Sequence, residues 1–242
     1  MDPEYTRRYR ELYQRHWWWR ARERLVLETL RRSLPVGGRR SILDVGCGDG
    51  LLFDRLAEFG DVEGIEADPS LVSAARTYRG RIHVGPFDTR FQPGKRYSLI
   101  LMLDVIEHIR DPVGALRHAV ELLEPHGVLV ATVPAFLMLW TTHDDLNHHC
   151  TRYTKRSFSA LARQAGLCVD RATYFFHWIF PAKLVIRLVE KLVHSQPSPP
   201  RVPPRWINRP LYLLSRLEQR LLGPLPVPFG SSLLIVGRRQ PG

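Results

Sequence analysis

The chain has 242 residues, 44% hydrophobic and 24% charged, with a formal net charge of +11, a balance that suits a globular protein with one large core. Its three cysteines, Cys47, Cys150 and Cys168, stand singly, which excludes a zinc ribbon or a disulfide framework and fits a reducing cytoplasm. The opening MDPEYTRRYRELY is too polar for a signal peptide, and no apolar run reaches the roughly 20 residues of a spanning helix, so a cytoplasmic protein is expected. The basic excess is compatible with nucleic acid, an anionic membrane surface, an acidic substrate or simply a solvated basic surface.

Two helices open the chain. The first is capped by Asp2 with Pro3 at its first position, and the second runs from HWWW to the breaker PVGG; together they make an N-terminal helical cap over residues 1–36. From residue 37 the pattern alternates. SILDV, VEGIE, RIHV, YSLILML and GVLVATVP read as strands. LLFDRLAEF, PSLVSAARTY and DPVGALRHAVELLEP read as the helices between them, the last with Asp111 as cap and Pro112 behind it. TKRSFSALARQAGL is a further helix, and LCVDRATYFF and SSLLIVGRR are the last two strands. Such alternation predicts an α/β fold with a mostly parallel sheet, right-handed crossovers and ligands at the carboxyl ends of the strands. Residues 177–228 interrupt it with two amphipathic helices, FPAKLVIRLVEKLVH and RWINRPLYLLSRLEQRLL, joined by the proline-rich linker SQPSPPRVPP.

The first strand ends in LDVGCGDG, with glycines at 46, 48 and 50. Glycine permits positive φ and close backbone approach to a ligand, and the turn presents N–H groups to an anion. Glu66 ends the second strand, where a carboxylate can accept both hydroxyls of a ribose. These residues, with DVIEH at 104–108, resemble the class I S-adenosylmethionine-dependent methyltransferases over roughly residues 41–176. The resemblance implies a Rossmann-like, seven-stranded, mostly parallel sheet with helices on both faces, an antiparallel last strand and a helical insertion before it. It also implies the cofactor's place. Asp44, Gly46, Cys47, Gly48 and Gly50 line its methionyl part. Glu66, with Ala67 beside it, holds the ribose, while Leu103 and Asp104 stand near the sulfonium. His108, in DVIEH, either packs beneath the cofactor or joins the candidate bases. The chain departs from the family after strand three, where Pro86 replaces the usual acid. Phe87 and the displaced Asp88 are therefore assigned to the adenine pocket.

The stretch TTHDDLNHHCTRY follows the fifth strand, on the rim where an acceptor must enter. Its histidines suit proton transfer at neutral pH, with His143 the first candidate base, His148 the second, and Asp144 the group that orients one of them. Polar loop capping and metal ligation are the competing readings. The spacing fixes no coordination geometry, so no metal is expected. The pattern H-D-x-x-x-H-H-x-x-R-Y, together with HWWW at 16–19, is similar to a branch of bacterial methyltransferases seen beside glycan and lipid biosynthesis enzymes. Three functions compete: a biosynthetic transferase acting on oxygen of a small-molecule, glycan or lipid-linked acceptor; an RNA methyltransferase; and a cofactor-binding regulator. LDVIEH lacks the NPPY-type motif of base methylation, so nucleic acid is the weaker partner. The basic amphipathic helices of 177–228 suit peripheral contact with an anionic membrane, against packing on the sheet or in a homodimer.

Overall fold

The computed structural model describes residues 3–35, 37–74, 77–193 and 200–239. The expected cap at Asp2 and positions 195–199 of the proline-rich linker lie outside them. Seven strands form one sheet: β1 (Arg40–Val45), β2 (Gly60–Glu66), β3 (Ile82–Val84), β4 (Tyr97–Leu103), β5 (Leu123–Pro134), β6 (Leu167–Phe175) and β7 (Ser232–Arg239). Their order is β3-β2-β1-β4-β5-β7-β6, and β7 runs antiparallel to both neighbours. The strand order reverses between β1 and β4, so the crevice beyond their carboxyl ends is the natural ligand site.

Successive residues of a strand point to opposite faces. Ile42 therefore joins one core with Leu99 and Val128, and Leu43 the other with Ile100 and Leu129. Burial on both faces is what makes these strands read as continuous apolar runs. The second core is closed by α5 (Pro112–Leu122) and α7 (Lys155–Gln164), each begun by a side-chain cap from Asp111 or Thr154. The first is closed by α1 (Pro3–Arg15) and α2 (Trp17–Ser33). The helix expected over 51–59 shrinks to α3 (Phe53–Leu56), because the Gly50 and Phe53 amides are used to close the preceding turn on the Cys47 and Gly50 carbonyls. The helix expected over 69–78 is described as α4 (Pro69–Ala74), and positions 75 and 76 lie outside the described residues. The rim stretch, expected as a loop, contains α6 (Thr142–Leu146), begun by a capping box between Thr141 and Asp144.

The insertion forms α8 (Ile179–Val193) and α9 (Arg205–Leu222). It does not float free of the sheet domain. Asn208 accepts from the Trp17 amide at 2.8 Å and donates to the Arg15 carbonyl at 2.7 Å. Arg216 pairs with Glu28 at 2.6 Å, and Gln219 donates to the Ala21 carbonyl. The α9 helix is thus stapled to the N-terminal cap. The α8 helix is tied to the rim instead, where Glu190 accepts from the amide and hydroxyl of Thr142 at 3.0 and 2.9 Å.

Candidate active site

Gly46, Gly48 and Gly50 all have positive φ, at 70°, 58° and 78°. At Gly46 the need is steric as well, since a Cβ there would lie 2.6 Å from a methyl of Val105. The turn is tied to the acid ending β2. Glu66 accepts from the Gly48 amide at 2.8 Å and from the Asp68 amide at 2.9 Å. Both oxygens are held, yet each keeps a second lone pair, so the carboxylate presents acceptors only and selects a ligand that donates. Behind the turn, burial and then the nearby Glu66 charge push the Asp44 carboxyl up to about 7, against the pull of Arg22.

The N-terminal cap builds the opposite wall. His16 accepts from the Trp18 amide at the start of α2, and burial lowers its imidazole to about 4. Trp17 and Trp18 pack on Phe176, and all three tryptophans of HWWW face the cavity. Arg22, buried on α2, forms an ion pair with Asp104 just past β4. Thr132 of β5 donates to the other Asp104 oxygen at 3.1 Å. This fixes a residue whose own φ is +56°. Nothing in an arginine-rich helix marks Arg22 out; only burial does.

On the rim Asp144 is fully buried. Arg152 grips it with two nitrogens at 2.9 Å, and the His149 Nδ1 lies 2.7 Å from it. Burial pushes this carboxyl up, but the hydrogen bond from His149 and the Arg152 charge outweigh that and hold it below the usual range. Asp144 therefore orients His149, not His143 or His148. His143 faces the cavity, its imidazole lowered to about 4 by burial and then by Lys183. His148 is exposed, with φ +55°, and does not line the cavity. Lys183 on α8 does line it, and burial lowers its amine to about 8.

One cavity of about 1140 Å³ joins these parts. It is lined by Gly46, Gly48, Glu66 and Ala67 at one end and by His108, His143, His149 and Lys183 at the other. Phe87, Asp88, Leu103 and Asp104 lie along it. Asp88 is held by Arg90 at 2.6 Å, and Phe87 packs against His118. Asp44, Cys47 and Gly50 do not reach the cavity surface. They shape the turn from behind, with the Cys47 sulfur set against Gly64 of β2 and Gly50 against Tyr78 and Phe53. The sequence pattern missed Glu107, His149, Arg152 and Lys183 as a group. The rim pattern holds His149 and Arg152, but no periodicity or motif links them to positions 107 and 183.

A family model described as a methyltransferase domain matches residues 12–172. Among curated proteins, the ubiquinone biosynthesis O-methyltransferase of Azorhizobium caulinodans is 35% identical over 109 residues, 42% of this chain and 43% of that protein. Its counterpart in Cereibacter sphaeroides is 34% identical over 110 residues, 43% of this chain and 44% of that protein. The chain thus spans less than half the length of the curated relatives it matches. Two solved structures share the fold. One is a methyltransferase in complex with a Haloferax volcanii methyltransferase activator, at TM-score 0.62 and 20% identity, covering 99% of this chain and 96% of that one. The other is an S-adenosylmethionine-dependent methyltransferase of Mesorhizobium loti, at TM-score 0.56 and 17% identity, covering 88% and 96%. The turn, the acceptor-only carboxylate of Glu66 and the size of the cavity all fit a ligand with a ribose and a charged tail. The chain belongs to the methyltransferase domain family.

Proposed function

We propose that the protein transfers a methyl group from S-adenosylmethionine to an oxygen of a small-molecule acceptor, with a glycan or lipid-linked hydroxyl compound as the acceptor class. The observation that carries this reading is the one continuous cavity running from the glycine turn and Glu66 to the rim, where burial lowers the His143 imidazole to about 4. Bound there, the cofactor supplies a methyl carbon activated by a sulfonium, which departs as a neutral thioether. The chain's residues do the rest. Gly46, Gly48 and Glu66 seat the cofactor, and the aromatic wall of Trp17 to Trp19 excludes water. His143 takes the proton that the acceptor hydroxyl loses as the new carbon–oxygen bond forms. Alignment of the reacting groups is the main source of rate, worth up to roughly 7–11 kcal/mol, with the base adding about 10²–10⁴-fold. A methyl-transfer screen with labelled cofactor against lipid, glycan and RNA fractions tests the assignment. Label in the lipid or glycan fraction supports it. Label in RNA alone, or cofactor binding without transfer to any fraction, overturns it.

The lipid-linked form of the acceptor draws support from the insertion. On α9 the polar Ser215, Glu218 and Gln219 are buried, while Trp206, Leu213, Leu217 and Leu221 are exposed along the opposite face. Val185, Leu188, Val189 and Leu192 are exposed on α8. Arg205, Arg209 and Arg220 are also exposed on α9. No described helix is long and apolar enough to cross a membrane. An apolar stripe flanked by arginines suits the surface of an anionic bilayer, each basic residue contributing about 1 kcal/mol. Co-flotation with anionic vesicles at low salt, lost with neutral vesicles, is expected. Absence of anionic co-flotation would leave the stripe as a contact between copies of the chain.

A further inference from the structure

Glu107 is fully buried, and neither of its carboxylate oxygens has a hydrogen-bond partner among the described residues. An isolated buried carboxylate is costly, and such groups are normally paired, hydrogen-bonded or bound to a cation. The carboxylates around it are already satisfied: Asp104 by Arg22 and Thr132, Asp144 by Arg152 and His149. Glu107 instead shares its corner of the cavity with two imidazoles. One ligand atom each from Glu107, His108 and His149 lies within 4.8 Å of the others, and the two rings meet edge to face at 4.7 Å. Two donors on one ion at about 2.1 Å stand at most about 4.2 Å apart, so closure asks only for small side-chain rotations.

The surroundings of the imidazoles point the same way. Metal-binding histidines usually donate their second ring nitrogen to an oxygen that fixes the tautomer. His149 has its Nδ1 on buried Asp144 at 2.7 Å, which leaves Nε2 free, and Asp144 is itself locked by Arg152. The backbone also clamps the cluster, with the Cys150 amide donating to the Glu107 carbonyl at 2.6 Å.

We propose that Glu107, His108 and His149 form a site for one divalent transition-metal ion at the acceptor end of the cavity. Two imidazoles and one carboxylate select an ion such as Mn²⁺, Fe²⁺ or Zn²⁺ over Mg²⁺ or Ca²⁺, which prefer all-oxygen shells. With three protein donors, positions remain for water or for acceptor oxygens. The ion's role rests on the methyl-transfer reading; its binding does not. In that role it draws the acceptor hydroxyl toward its deprotonated form, which lets an imidazole as weakly basic as His143 take the proton.

The test is a titration of the chelator-stripped full chain with Mn²⁺, followed by calorimetry and by the loss of the free-ion paramagnetic resonance signal. Mn²⁺ has little preference for thiolate, and Cys150→Ser serves as a control for capture by the neighbouring cysteine. One saturable site per chain is expected, retained in Cys150→Ser. Glu107→Gln and His149→Gln should each weaken it by more than about 100-fold, and the orienting Asp144→Asn by about 10–100-fold. Circular dichroism checks that each variant is folded, and the wild-type titration stands whatever a variant does. No saturable Mn²⁺ binding, or binding unchanged in folded Glu107→Gln and His149→Gln, overturns the site. Full methyl transfer by the stripped protein in chelator overturns the role while leaving the transferase reading intact. Mn²⁺ bound in a protein that takes up no cofactor would keep the site and remove that reading instead.

Discussion

The two ends of the cavity are built in different ways. The cofactor end is local: Asp44 to Gly50 form one turn, and Glu66 reaches back across a single strand crossover to bond the Gly48 amide. The acceptor end is assembled from afar. Arg22 comes from the N-terminal cap, Asp104 to His108 from the end of β4, Asp144 to Arg152 from the rim, and Lys183 from the insertion. A local site is held by backbone geometry and tolerates change elsewhere. A distributed one depends on buried polar pairs, so the residues proposed to serve chemistry also hold the elements together.

This contrast can be broken most severely at Arg152. Its guanidinium is buried and satisfies both oxygens of Asp144 and the Ala135 carbonyl. Arg152→Ala leaves a buried carboxylate without its cation and should cost about 3–5 kcal/mol, read as a melting point lowered by roughly 6–20 °C. A melting point within 2 °C of wild type would show that the rim is not held this way. His143→Gln separates chemistry from framework. Turnover should fall by about 10²-fold or more while cofactor affinity by calorimetry is retained. An unchanged turnover number would remove His143 from the proton path.

At the other end, Glu66→Ala should weaken cofactor binding by about 1.5–3 kcal/mol, as for loss of a charged hydrogen-bond acceptor, while Mn²⁺ binding at the rim persists. Equal cofactor affinity in a folded variant would refute the ribose assignment. The smallest effect concerns the wall between the two ends. The His16 imidazole is lowered to about 4 by burial, below its unfolded value near 6.5. As pH falls through that window the unfolded chain takes up a proton that the native chain does not, so stability is lost between about 6.5 and 4. His16→Asn keeps a helix-capping oxygen and cannot titrate. Its stability relative to wild type should rise by about 1 kcal/mol on going from pH 7 to 4.5, a value discounted for the ring's partial exposure. A pH-independent difference in denaturant melts would show that His16 is freely protonated in the fold.

The local half of the molecule is legible in the sequence. The alternating strands and helices and the glycine turn follow from apolar runs, glycine positions and one acid, all features that act within a few residues of one another; the antiparallel last strand was implied only by the family resemblance, and the strand order is set by the fold. The rim stretch was legible only as a concentration of titratable groups, and its internal order was not. His148 falls outside the cavity, and Asp144 serves His149 and Arg152. A short helix there, α6, turns adjacent residues to different sides, and which side meets the cavity depends on where the sheet lies.

The sequence by itself determined an α/β fold with a mostly parallel sheet and a glycine turn, because hydrophobic period and glycine conformation are properties of short segments. Tertiary structure alone decided which polar groups meet. It brought Glu107 and His108 from the end of β4 against His149, and left the two Glu107 carboxylate oxygens without a hydrogen-bond partner among the described residues. It also decided which face of α9 is turned inward. The leucine-rich face looks like the one to bury, but Ser215 and Glu218 are drawn in by the Trp178 side chain and backbone, and Gln219 by the Ala21 carbonyl. Hydrogen bonds to partners some 40 to 200 residues away set that orientation, and no periodicity within a helix encodes them.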